Sequence, residues 1–140
     1  MDLLRVQSTN PAFTEMLVKI IAFTQSRQKI ITQNINNLHG SDFVPMDLAV
    51  YEFCGVLNEA IGEHARTRRL VLCDTENIKF GECGSFDFRP MIDIRAKEML
   101  EESSDKYIEM QIGKLLENAL NQRIAAELLK HRQTMISAST

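Results

Sequence analysis

Two long amphipathic stretches, one at each end of the chain, restrict its fold more than any other feature. From Phe13 to Leu38, apolar residues recur at helical spacing: Phe13, Leu17, Ile20, Ile21, Ile31, Ile35 and Leu38. From Lys106 to Ala138 the pattern returns, with Ile108, Ile112, Leu115, Leu116, Ala119, Leu120, Ile124, Leu128, Leu129, Met135 and Ile136. A helix of that second length spans roughly 50 Å at 1.5 Å per residue. Its apolar residues occupy more than one stripe, so it is expected to touch more than one neighbour. Helices of this kind suit packing along each other and along further copies, and suit a pocket poorly.

The spacing divides the chain into three parts: 1–46, an N-terminal helix and turn; 47–104, a variable middle; and 105–140, the C-terminal helix. Thr9-Asn10-Pro11 is a good helix start, with a capping side chain followed by proline in the first turn. Thr24 to Lys29 interrupts the first stripe with polar residues, which suits a contact that must fix register between helices. Asn36, Asn37, His39 and Gly40 end that helix, and Ser41 to Pro45 is a turn. A second helix is predicted from Asp47 to Arg66, weakened by Gly55 and Gly62. Leu70–Cys73, Ile78–Phe80 and Phe86–Phe88 read as short strands, the last stopped by Pro90. A short helix follows from Ile94 to Ser104, and Ser104-Asp105 is the expected cap of the last helix. The fold class is therefore mainly all-α, a coiled-coil-like pair of terminal helices around a middle holding a short helix and a small β element.

Little in the chain suggests catalysis. Gly81-Glu82-Cys83-Gly84 lacks the lysine and helix start of a phosphate loop and reads as a turn. Cys54 and His64 are ten residues apart in one predicted helix, about 15 Å by helical rise, too far for a nucleophile and its base. Three cysteines and three histidines at wide spacing do not make a zinc site. The thiols read as buried or unreactive; a Cys73–Cys83 bridge fits the spacing, but nothing requires it. No enzyme, metal or cofactor is expected. A net charge of −3 argues against a general affinity for nucleic acid. The local exception is Arg66-Thr67-Arg68-Arg69, which reads first as contact with a helix carbonyl end and second as an acidic-partner or headgroup contact. No segment has the 18–20 apolar residues of a membrane span, and Met1-Asp2-Leu3-Leu4-Arg5 lacks the features of a cleaved secretory signal. The chain is expected either to stay in the cytoplasm or to leave by a route that cleaves nothing.

The N-terminal stripe contains Arg27-Gln28, then Asn34-Ile35-Asn36-Asn37, then Phe43 and Asp47-Leu48. This resembles the amino-terminal signature of bacterial flagellar axial proteins, and most closely that of the basal-body proximal rod protein (FlgB) family. The family's Arg-Gln start, Asn-Ile-Ala-Asn core and aromatic turn align here without a gap. Arg27, Gln28, Asn34, Ile35, Asn37 and Asp47 match, while Phe43 stands where tyrosine is usual. Gly40-Ser41-Asp42 replaces the family's Thr-Pro-Gly, and Asn36 its alanine. Ile108, Leu115, Glu117 to Leu120, Leu128-Leu129 and Met135 fall in the register of the family's last helix. The resemblance covers residues 13–48 and 105–138, about half of the chain.

The resemblance implies a structural subunit of the proximal rod, a helical assembly in the periplasm that transmits torque for motility. Its partners would be other copies of itself, other rod proteins, membrane-ring and adaptor subunits at the rod base, and the type III export apparatus. Export would cleave no signal peptide. On this reading Phe13, Leu17, Ile31, Ile35, Ile112, Leu116, Leu120 and Leu128 form the seam between subunits, and Asn34 and Asn37 set its register. The rival expectation is a cytoplasmic helical adaptor or chaperone-like protein that binds a partner helix in a groove.

Overall fold

The computed structural model describes residues 11–81 and 86–139. Along the chain the elements are α1 (Pro11–Asn36), β1 (Met46–Asp47), α2 (Val50–Thr67), β2 (Ile78–Phe80), β3 (Phe86–Phe88), β4 (Met91–Ile92), α3 (Ile94–Glu102) and α4 (Ser104–Ser139). The molecule is mainly helical, with long helices at both ends and two small antiparallel ladders between them.

Helices α1 and α4 lie antiparallel and make the most extensive contact between elements. On α1 the face towards α4 follows a three-four spacing: Leu17, Ile20, Thr24, Arg27, Ile31 and Asn34, all but the half-buried Ile20 buried. On α4 it follows a seven-residue spacing of Gln111, Asn118, Ala125 and Arg132, joined by Tyr107. The spacing is that of a coiled coil, but most of its side chains are polar.

The apolar core lies to one side of this pair. Phe23, Leu48, Phe53 and Ile78 are buried together, flanked by Ile20, Ile30, Val50, Leu57, Phe80 and Phe88. Phe23 and Phe53 stack with centroids 4.1 Å apart, and Phe88 meets Phe23 edge-on at 5.2 Å. Asp47 beside Arg27, then Phe53 on Phe23, makes α2 run antiparallel to α1, back towards Pro11. The β2–β3 hairpin closes the core, pairing Ile78 with Phe88 and Phe80 with Phe86. Lys19 is buried against that hairpin, its ammonium 3.8 Å from the centroid of the Phe86 ring.

Several local expectations change. Among the described residues Leu70–Cys73 forms no strand; Val71 and Cys73 are exposed there. A two-residue ladder instead joins Met46 to Ile92 and Asp47 to Met91, so the turn after α1 is stitched to the segment that opens α3. Ser103, not Ser104-Asp105, caps the last helix: its extended backbone breaks the chain after α3, and its hydroxyl accepts from Lys106 N at 3.3 Å. Cys54 and Cys73 are exposed thiols rather than buried ones. Cys83, the glycine-flanked turn around it, and the Thr9-Asn10 cap lie outside the described residues. Gly40 takes its place through close approach, since a Cβ there would stand 3.3 Å from the Asn37 carbonyl oxygen.

Candidate assembly surface

Arg27, Asn34 and Asp47, separate in sequence, meet at one place. Asn34 lies two residues before the end of α1, and its side chain clamps the start of β1. Its Nδ2 donates to Met46 O at 2.7 Å, and its Oδ1 accepts from Met46 N at 3.1 Å. The same Nδ2 reaches Gln111 Oε1 on α4 at 3.0 Å, and the Tyr107 hydroxyl donates to Asn34 O at 2.8 Å. The clamp delivers Asp47 to Arg27, whose Nε and Nη2 donate to its two carboxylate oxygens at 2.9 and 3.1 Å. Lys114 of α4 bonds Asp47 Oδ2 at 3.0 Å and also pairs with Asp93, whose carboxylate caps α3 by accepting from Ala96 N. One cluster of two cations and two anions therefore joins α1, the turn, α3 and α4.

The environment fixes the charge of this cluster. Burial pushes the Asp47 carboxyl up, but the hydrogen bonds and charges of Arg27 and Lys114 outweigh it and hold it below the usual value. Burial, reinforced by the charge of Asp93, pushes the Tyr107 phenol up to about 12. Further along the seam, Asn118 Nδ2 donates to Thr24 O at 2.7 Å, and Arg132 Nε donates to Thr14. Each contact positions backbone or neutralises charge, and none presents a reactive group.

The other side of α4 is the opposite in character. Ile112, Leu116, Leu120, Ile124 and Leu128 recur every four residues along α4, and all are exposed; Leu116 and Leu120 keep 67% and 59% of their surface. Each step of four advances about 40° around the helix, so the stripe winds across the outer face. Towards its far end it meets a groove of about 290 Å³ between α1, α2 and α4, lined by Leu17, Ile20, Phe53, Leu57, Ile124 and Leu128. Unlike single exposed apolar residues, a continuous stripe of this kind marks an interaction surface.

The structure divides the ten residues expected at a subunit seam. Leu17, Ile31 and Asn34 are buried inside the chain against its own elements. Ile112, Leu116, Leu120 and Leu128 form the open stripe, Phe13 is exposed near the start of α1, Ile35 is half-buried, and Asn37 is exposed beyond α1. Gln111, Lys114, Asn118, Arg132, Tyr107 and Asp93 were not anticipated as structural polar groups. The seven-residue spacing from Gln111 to Arg132 was the available signal, hidden because an apolar pattern was sought.

Cys54 and His64 both lie on α2, ten residues apart and so about 15 Å by helical rise, and do not meet. Among the described residues no group of histidine, cysteine and carboxylate side chains is arranged to hold a metal, and no helix is long and apolar enough to cross a membrane. No protein-family model, curated protein or solved structure matches the chain.

Proposed function

We propose that the chain is a structural assembly subunit, and specifically a proximal rod subunit of the bacterial flagellar basal body. In that role it joins the membrane ring to the more distal rod from the periplasm, after export without signal cleavage. The observation that carries the reading is the exposed stripe from Ile112 to Leu128, an apolar helix face left open by the chain's own elements. The roles of Arg27, Asn34 and Asp47 support it further: these residues, which carry the resemblance, together fix the turn that follows α1.

Magnitudes set the strength of the contact. Covering five half-exposed aliphatic side chains contributes on the order of 5 kcal/mol. Association costs at least about 4 kcal/mol in lost freedom. One stripe against one neighbour therefore gives weak pairing, whereas several neighbours around each subunit give a stable tube. The expected behaviour is monomer in dilute solution and cooperative assembly at high concentration. Sedimentation of the purified chain tests this, together with imaging of basal bodies containing a tagged copy. A chain that remains monomeric at high concentration, and is absent from basal bodies, refutes the reading.

The groove of about 290 Å³ favours a second reading, a helical adaptor that seats a partner helix between α1, α2 and α4. It differs in its prediction: a monodisperse monomer at every concentration, with one partner segment bound per chain.

A further inference from the structure

Among the described residues, exposed arginines gather at one end of the molecule and exposed carboxylates at the other. At the end where α1 begins and α4 finishes, α2 also finishes, and Arg66, Arg68 and Arg69 are exposed there. Arg66 pairs with Glu63. Among the described residues Arg68 and Arg69 have no carboxylate within ion-pair distance. Arg68 adopts a left-handed backbone, φ 64°, as the helix cap, which turns the chain off the helix axis.

At the opposite end, α3 finishes and α4 begins. Glu98, Glu101, Glu102 and Asp105 are exposed together there, with Lys106 3.8 Å from Glu102 and both side chains mostly in solvent. Arginines beside the carbonyl end of α2 complement its dipole. Glu101 and Glu102 lie at the carbonyl end of α3, where the dipole opposes them and no basic residue occupies the last turn. Among the described residues only Lys106 pairs with this group, at Glu102, and Asp105 lies in the first turn of α4, where the dipole favours it.

The two ends cannot neutralise each other within one molecule. The 26 residues of α1 alone set them about 39 Å apart, several times the screening length of about 8 Å in physiological salt. A second copy can do so. We propose that copies of this chain add head to tail, with the arginine end of one seated on the carboxylate end of the next. This rests on the assembly reading and deepens it: the end contact is electrostatic and sets polarity, while the stripe on α4 serves side-by-side contacts. A head-to-tail contact does not close on itself, so it generates an open array.

Charge reversal at each end tests the proposal. Variant one carries Arg68→Glu and Arg69→Glu; variant two carries Glu101→Lys and Glu102→Lys. All four side chains are exposed, and circular dichroism confirms folding of each. In sedimentation at about 0.05 M salt, the wild type is expected to grow in mass continuously with concentration. Each variant alone is expected to need about tenfold more protein to assemble, and an equimolar mixture of the two to recover wild-type behaviour. Raising salt to about 0.5 M should weaken the wild type and leave the variants little changed. Wild-type assembly unaffected by either reversal overturns the head-to-tail contact while leaving the assembly reading intact. Growth that stops at two copies overturns it in favour of a closed pair. A wild type that stays monomeric throughout overturns both.

Discussion

At the scale of single residues, Asp47 shows how the fold uses charge. It receives Arg27 and Lys114, and its Oδ1 also accepts from its neighbour Leu48 N at 2.8 Å. Replacing it with asparagine leaves two largely buried cations facing a neutral amide. The expected cost is about 3 kcal/mol, read as a lower urea midpoint with an unchanged slope at neutral pH. The pH dependence follows from the direction of its shift. The folded carboxyl titrates below the unfolded value of 3.8, so below that value the unfolded chain binds more protons than the folded one. Stability from this group is present above about pH 4 and falls away as pH drops through the folded pKa. Asp47→Asn should therefore flatten the acid limb of the stability profile. Tyr107 acts at the other extreme. Its phenol is raised from 10.0 to about 12, so its contribution is complete below pH 10 and is lost as pH rises towards 12. Tyr107→Phe is expected to cost about 1 kcal/mol at neutral pH and to flatten that alkaline loss.

At the scale of elements, the two faces of α4 answer mutation differently. Leu120→Asp touches an exposed site, and the folding midpoint should change by less than about 1 kcal/mol while assembly and rod incorporation disappear. Leu17→Ala, on the covered face of α1, should cost about 3 kcal/mol in folding. Normal motility with Leu120→Asp would sink the role given to the stripe. The same contrast explains what the sequence revealed. Both terminal helices were legible because their periodicity extends over many turns, and Phe86–Phe88 because it alternates. The β1–β4 ladder was not legible, because two-residue strands carry no period and form only where the Asn34 clamp and the cap of α3 bring them together. Leu70–Cys73 misled because β-prone residues without a partner strand stay irregular. The partition of the seam was hidden for a related reason: apolar spacing locates a stripe but does not say whether the covering surface belongs to the same chain.

For the whole molecule, polar contacts are dense where α1 ends and α4 begins. Asn34, Gln111, Tyr107, Asp47 and Lys114 lock one half of the helix pair. Beyond Ala125, α4 keeps Arg132 on its covered face while Leu128 and Ile136 lie exposed. Opening free energies should be largest where α1 ends and α4 begins, since amides protected by buried contacts open last. In dilute solution, hydrogen exchange is expected to be slowest at residues 107–118 and fastest beyond residue 128. Assembly covers the outer stripe, so at concentrations where mass increases the slow region should extend through residue 128. A lateral contact made elsewhere would leave the exchange of α4 unchanged while the mass rose. In the assembly proposed above, the locked half gives each subunit a fixed shape before it meets a neighbour, so that a lateral contact there costs little further ordering.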